Sequence, residues 1–263
     1  MKCTILISLY NAEKTLDRTF ESLKAQTFQD FRIVAIDDYS KDNTLSLLKK
    51  WQTHFGQEKF LIIENPKNIG LTKSLNKGLD IITETYTARI DADDTWNPFK
   101  LEKQLRYLES YPECGILGTY YENTSFRGSR KITLPQTNEE IKKNIFKRNP
   151  FAHSCVVFKT NLIKEVGKYD ESIRYGQDYE LWLRLLPKTR FANIPEFLCS
   201  RNTENTLTSS GKNQREQMFQ CVRTQLRYLK YYHRPLIDYI AIIEPLLVAL
   251  TPHWLRALKQ RYI

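Results

Sequence analysis

Along the first hundred residues, short apolar runs alternate with segments whose apolar positions recur every three or four residues. Residues 4–9 form a short apolar run, as expected of a strand covered on both faces. Leu16, Phe20 and Leu23 then fall on one helical stripe. The alternation continues with a strand over 31–36, a helix over 42–55, a strand over 60–63, a helix over 71–82 and a strand over 86–90. Strand and helix in turn, with short links, predict an α/β fold: a mostly parallel sheet with helices on both faces. The second half is less regular. It predicts helices over 98–111 and 137–146, strands over 115–121 and 131–134, and a strand over 154–158 followed by a short helix to 166. An amphipathic helix over 177–186 and a long helix over 214–232 follow, and two short helices are expected over 235–263.

In open α/β sheets, ligands bind outside the carboxyl ends of the strands. That rule groups Leu9, Tyr10 and Asn11 with Asp37 and Asp38, and with the cluster Asp91-Ala92-Asp93-Asp94. Three carboxylates within four residues repel one another unless solvated or bound to a cation, so the cluster suits a hard divalent ion that also takes phosphate oxygens. A capped acidic loop is the plainer alternative. Asp38 can accept hydrogen bonds from a base or ribose, or it can serve the start of the following helix. Asn68 and Gly70 end a loop ahead of a helix start, where a tight turn or a phosphate fits. Asp178 stands in the first turn of a helix, a position open to capping as much as to catalysis.

Taken in order, these segments resemble the family 2 glycosyltransferases of bacteria, which have the GT-A fold. The resemblance rests on residues 7–13, 26–28, 36–44, 68–76, 88–94 and 177–184, and spans about residues 2–187. It implies that Leu9, Tyr10 and Glu13 hold the uracil and ribose of a nucleotide-sugar, with Asp38 on the uracil and Asn68 and Ala92 beside the nucleotide. It implies Asp91 on the ribose or sugar, Lys73 near the nucleotide, and Asp93 as ligand of a divalent metal, Mn2+ or Mg2+. Asp178 becomes the general base of a single inverting displacement, kept ionised by nearby cations or donors so that its pKa stays ordinary or low. Gln177 stands where the family often has Glu. Neither the QxxRW-type motif nor the membrane spans of polymerising relatives occur. His153 is a candidate for the acceptor pocket, or a structural histidine. Arg201, with a loop over 206–210, is a candidate for the donor diphosphate, or part of a solvated segment.

Composition narrows the picture further. The 263 residues allow a GT-A domain over 1–210, with a nucleotide-sugar half to 97 and an acceptor half from 98, followed by a basic helical region over 211–263. The net charge is +10, and residues 201–263 hold ten Lys or Arg against four Asp or Glu. Tyr228, Tyr231, Tyr232, Trp254 and Tyr262 lie among these cations, a composition suited to an anionic membrane surface, or to packing on the domain. Such a tail would bring the enzyme to a lipid-linked or polymeric glycan acceptor, at the inner face of the cytoplasmic membrane. Five scattered cysteines fit a reducing compartment. A sugar nucleotidyltransferase would show a glycine-rich basic loop at residues 9–14, which this chain lacks. A nucleic-acid-binding protein would have no need of the acidic cluster.

Overall fold

The computed structural model describes residues 2–126, 128–234 and 236–250. The expected βα alternation is present as β1 (Cys3–Leu9), α1 (Leu16–Lys24), β2 (Phe31–Asp37), α2 (Thr44–Phe55), β3 (Phe60–Glu64), α3 (Leu71–Ile81) and β4 (Tyr86–Arg89). There follow β5 (Thr95–Trp96), α4 (Lys100–Ser110), β6 (Cys114–Ser125), β7 (Gly128–Ile132) and α5 (Asn138–Asn144). The remainder comprises β8 (Val157–Lys159), α6 (Thr160–Glu165), α7 (Gln177–Arg184), β9 (Arg190–Asn202), α8 (Glu204–Tyr231) and α9 (Ile243–Leu250).

The strands make one sheet in the order β3-β2-β1-β4-β8-β6-β9-β5, with β7 on the free stretch of β6. β3, β2, β1 and β4 are parallel, whereas β8 runs antiparallel to both β4 and β6. β6 and β9 are again parallel, so the sheet keeps long parallel pairings on either side of a short antiparallel β8. The β4–β8 pairing sets residues 153–156 beside the end of β4, and so joins the two halves at the acidic cluster.

The central strands β1 and β2 feed two cores. Ile5, Ile7 and Phe31 pack with Phe20 of α1, Trp51 of α2 and Leu105 of α4. Leu6, Val34 and Ile36 face the other way, with Leu75 of α3, Trp182 of α7 and Leu229 of α8. Phe20 stacks between Trp51 and Phe60, with ring centroids 5.6 and 5.3 Å away.

Three expectations change. The segment 154–158 opens as a 3-10 turn (His153–Cys155) before β8. Arg201 lies on β9, and the backbone of 206–210 runs within α8 rather than as a loop. Tyr228 is buried and its hydroxyl hydrogen-bonds Glu180, while Tyr232 Oη donates to the Leu183 carbonyl at 2.8 Å. Those two rings pack on the domain, and Tyr231 alone of the three is exposed. Trp254 and Tyr262 lie outside the described residues.

Candidate active site

The loops after β1 and β2 are tied into one surface. Asn11 N donates to Ser40 Oγ at 3.0 Å, and Lys41 N donates to Asn11 Oδ1 at 2.8 Å. Glu13 Oε2 accepts from Asn43 N at 3.0 Å, while Glu13 N donates to Asp42 Oδ2 at 3.1 Å. Glu13 thus holds the start of α2. Asn11 and Tyr39 both adopt left-handed backbone, with φ of 51° and 66°. For a residue as bulky as tyrosine this conformation is uncommon and costs about 1–3 kcal/mol, a strain typical of ligand-binding loops. The rings of Tyr10 and Tyr39 are exposed beside it.

Asp38 is buried and its carboxylate holds the next loop. Oδ1 accepts from Asn65 Nδ2 and Ile69 N, both at 2.9 Å, and Oδ2 accepts from Gly70 N at 2.8 Å. A carboxylate offers about four acceptor positions, and three of them are taken by this loop. Asn65, which the sequence reading passed over, also donates to Ser74 Oγ and accepts from Lys77 Nζ at 2.8 Å. Asn68 is exposed on the same loop. Lys73 is exposed on the first turn of α3, where Leu71 rather than Lys73 reaches the cavity edge.

The acidic cluster is positioned from two sides. Three consecutive carbonyls, those of Ala92, Asp93 and Asp94, accept from Thr15 Oγ1, Arg18 Nη2 and Thr19 Oγ1 of the α1 region at 2.8, 2.9 and 2.9 Å. From the other side, Ser154 Oγ accepts from Asp91 N at 3.0 Å and donates to Asp91 Oδ2 at 2.9 Å. The fully buried Arg89 pairs with Asp91 Oδ1. Burial is the largest single influence and works against ionisation of Asp91, but the Arg89 charge and the hydrogen bonds from Arg89 and Ser154 act together to hold the carboxyl well below the usual range. Asp94 points inward: Oδ1 accepts from Asn202 N at 2.8 Å, and Arg201 Nε lies 3.9 Å from Oδ2. Burial, reinforced by the Asp91 charge, pushes its carboxyl up to about 7. Against burial, Asp94 keeps the Arg201 guanidinium firmly charged.

A cavity of about 1510 Å3 gathers the distant segments. Gly70, Asp91, His153, Gln177, Asp178 and Arg201 all line it. Small-molecule pockets usually span roughly 300–1,000 Å3, so this one has room for two substrates. A polar cavity of about 630 Å3, lined by Glu13, Thr15, Arg18 and Asn202, lies on the other side of the acidic loop. His153 is buried, its Nε2 is 2.8 Å from Tyr169 Oη, and burial with the nearby Arg89 charge lowers its pKa well below the usual value. It therefore stands neutral in the site.

Asp178 enters the cavity from the first turn of α7, which starts at Gly176 with φ of 72°. Asn149 Nδ2 donates to Asp178 Oδ2 at 2.8 Å. An ordinary or low pKa was the expectation here. Instead burial raises it, and the Asn149 donor and Arg201 charge offset only part of the rise. A raised pKa is what a general base working near neutral pH requires.

No cluster of three His, Cys, Asp or Glu side chains among the described residues forms a closed metal cage. The donor set still fits a divalent ion shared with a ligand. Magnesium-type sites commonly use one or two carboxylates plus phosphate oxygens. Asp91 meets Arg89 and Ser154, and Asp94 meets Asn202 and Arg201; Asp93 stands between Ala92 and Asp94 in the same loop, its carbonyl accepting from Arg18 Nη2.

Comparison with known proteins agrees with this fold. The model for Glycosyl transferase family 2 matches residues 4–167. The amylovoran biosynthesis glycosyltransferase AmsE of Erwinia amylovora is 36% identical over 200 residues, 74% of this chain and 74% of that protein. Among solved structures, S. aureus TarS 1–349 in complex with UDP superposes with a TM-score of 0.67 at 20% identity over 85% of this chain, which spans 65% of that one. The mannosyltransferase PcManGT from Pyrobaculum calidifontis, in complex with GDP-Man and Mn2+, gives a TM-score of 0.67 at 14% identity, covering 99% of this chain and 79% of that one. The fold is GT-A, and the chain belongs to glycosyl transferase family 2.

Proposed function

We propose that this glycosyltransferase moves one sugar from a UDP-hexose or UDP-N-acetylhexosamine to a hydroxyl of a bacterial surface-glycan acceptor, inverting the anomeric configuration. The observation that carries the reading is the shared cavity, in which Asp178 and Asp91 face one space large enough for donor and acceptor together.

Each part of the donor has a matching group. The Tyr10 ring, exposed beside Leu9, offers a stacking surface for uracil. Asp38 holds the 65–70 loop that would border the base. Asp91, held ionised by Arg89, suits ribose or sugar hydroxyls. Arg201 offers its guanidinium to the diphosphate. A divalent ion, Mn2+ or Mg2+, held by Asp93 and the diphosphate, would supply charge neutralisation to the leaving group. Asp178 takes the proton from the acceptor hydroxyl as that oxygen attacks the anomeric carbon, and Asn149 fixes which carboxylate oxygen faces it. Attack from the side opposite the departing diphosphate gives a β-linked product from an α-linked donor.

The acceptor is lipid-linked or polymeric, and the C-terminal region carries the enzyme to an anionic membrane surface. Supporting this, Leu236, Ile240, Ile243, Leu247 and Leu250 recur at helical spacing and all are more than half exposed. Lys and Arg side chains at 223, 227, 230 and 234 lie just before them in sequence. No helix among the described residues is long and apolar enough to cross a membrane. The relative named for amylovoran biosynthesis supports a bacterial polysaccharide as the product class.

Thermal shift with UDP, with and without Mn2+, tests the reading, followed by hydrolysis of a UDP-sugar panel. Saturating UDP at about a hundredfold excess over Kd should add about 2.7 kcal/mol of stability. Stabilisation should need the metal, and single-stranded RNA should give none. Absence of any metal-dependent UDP effect would defeat the proposal.

A further inference from the structure

We propose that the far end of the main cavity binds a phosphoryl group carried by the acceptor, close to the sugar that is glycosylated. The inference rests on the transferase reading and names a feature of its second substrate. Beyond Asp178, the cavity wall is formed by Lys147, Arg148 and Arg174. The donor chemistry does not use them, because the donor diphosphate is met by Arg201 and the acidic loop.

Their position relative to the base is fixed by the chain. Lys147 and Arg148 immediately precede Asn149, whose amide donates to Asp178 at 2.8 Å. Arg174 comes shortly before Gly176, where the backbone turns into the helix that bears Asp178. At no more than about 3.6 Å per residue, the backbone of each cation lies within roughly 15 Å of the base. That is the reach of one or two sugar rings plus a flexible cationic side chain.

The charge at this end is only partly compensated. Among the described residues, no carboxylate pairs with Lys147 or Arg148, and both side chains are exposed. Arg174 reaches Glu216 only at 4.0 Å and otherwise stacks over the Tyr175 ring. Glu140 lines the same end, but its Oε2 accepts from the backbone N–H groups of Gln136 and Thr137. Two guanidinium forks and an ammonium converging on one space match a phosphate or diphosphate better than a neutral glycan. Leu134 and Met218 on the adjoining wall give an apolar surface to whatever follows the phosphate.

The group could come from a lipid phosphate or from a phosphate within a glycan. Calorimetry on protein saturated with UDP and Mg2+ separates these sources. The probes are decyl phosphate, a short glycerol-phosphate oligomer, and decyl glucoside as the neutral control. Wild type should bind one phosphate probe at least tenfold more tightly than decyl glucoside, and the tighter one names the source. Lys147→Gln/Arg148→Gln/Arg174→Gln should abolish that preference while the UDP Kd stays within twofold. Equal affinity for charged and neutral probes in wild type overturns the inference, as does a preference retained in the triple variant. The three single variants accompany it, so that a folding defect would register as lost UDP binding. Failure of UDP binding in wild type would instead sink the transferase reading.

Discussion

Replacing Asp178 by Asn separates proton acceptance from everything else this residue does. The side chain keeps its shape, and its remaining oxygen can still accept from Asn149 Nδ2, so the cavity wall stays in place. What is lost is a base. Positioned general bases contribute about 10²–10⁴ in rate, or about 3–5 kcal/mol at 1.36 kcal/mol per tenfold. Asp178→Asn should therefore lower kcat by that factor, with donor KM and UDP–Mn2+ affinity within twofold of wild type. The pH dependence gives a second readout. Burial raises the Asp178 pKa, so wild-type kcat should decline as pH falls through that raised value, and the variant should lack this limb. Stability should move the other way. Between the ordinary carboxylate pKa and the raised one, the folded state binds more protons than the unfolded, so Asp178 lowers stability as pH rises through that window. The melting temperature of Asp178→Asn relative to wild type should thus increase from pH 3 toward neutrality. Steady-state kinetics and thermal melts across pH 3–8 check all three. A kcat within tenfold of wild type, or a pH profile unchanged by the substitution, would refute the assignment of Asp178 as base.

Asp93→Ala should weaken Mn2+-dependent UDP binding by more than about tenfold, because loss of even an outer-shell partner commonly costs about 10- to 100-fold. Titration with and without metal reads it, and unchanged affinity would remove Asp93 as a ligand. Asn65→Ala strips partners from Asp38, Ser74 and Lys77, and should cost about 1–3 kcal/mol in urea melts while raising the UDP Kd. An unaltered UDP Kd would show that Asp38 does not depend on this loop. Arg89→Met leaves Asp91 without its cation; a fully buried pair broken this way costs about 3–5 kcal/mol, and the partial exposure of Asp91 reduces this to about 2 kcal/mol or more. Replacing Ile240 and Leu247 by Asp should abolish co-sedimentation with vesicles containing phosphatidylglycerol, without affecting hydrolysis of a UDP-sugar. Retained binding would locate the membrane contact elsewhere, and failure of the wild type to co-sediment would deny it.

The first hundred residues were legible because periodicity and burial agree there. Leu16, Phe20 and Leu23 all end up fully buried, and the strand over 4–9 is covered on both faces. β9 carries no comparable signal. Its thirteen residues include Pro195, with Asn193 and Glu196 close by, and its pairing with β6 shifts register at several points. Irregular pairing breaks the strict two-residue alternation on which a strand reading depends. The start of α8 was hidden differently: residues 204–213 are largely polar, so the apolar stripe begins only near Met218. The mixed sheet arises from β8, a three-residue strand whose direction is set by contacts far away in sequence.

The site divides along a similar line. Its acids could be read from the sequence because carboxylates crowded at strand ends are chemically unusual. Their partners could not, because Ser, Asn and Thr occur everywhere. Yet each acid is held by a segment other than its own: Asp38 by the 65–70 loop, Asp91 by Ser154, Asp94 by Asn202, and Asp178 by Asn149. Arg89 is the exception that did carry a signal. A cation inside an otherwise buried strand must be paired, and the carboxylate two residues on was the nearest answer. Because these four acids depend on remote donors, no loop can set the pocket geometry alone. Folding of the segments before and after β4 against β8 is what brings Asp91 and Asp178 into one cavity.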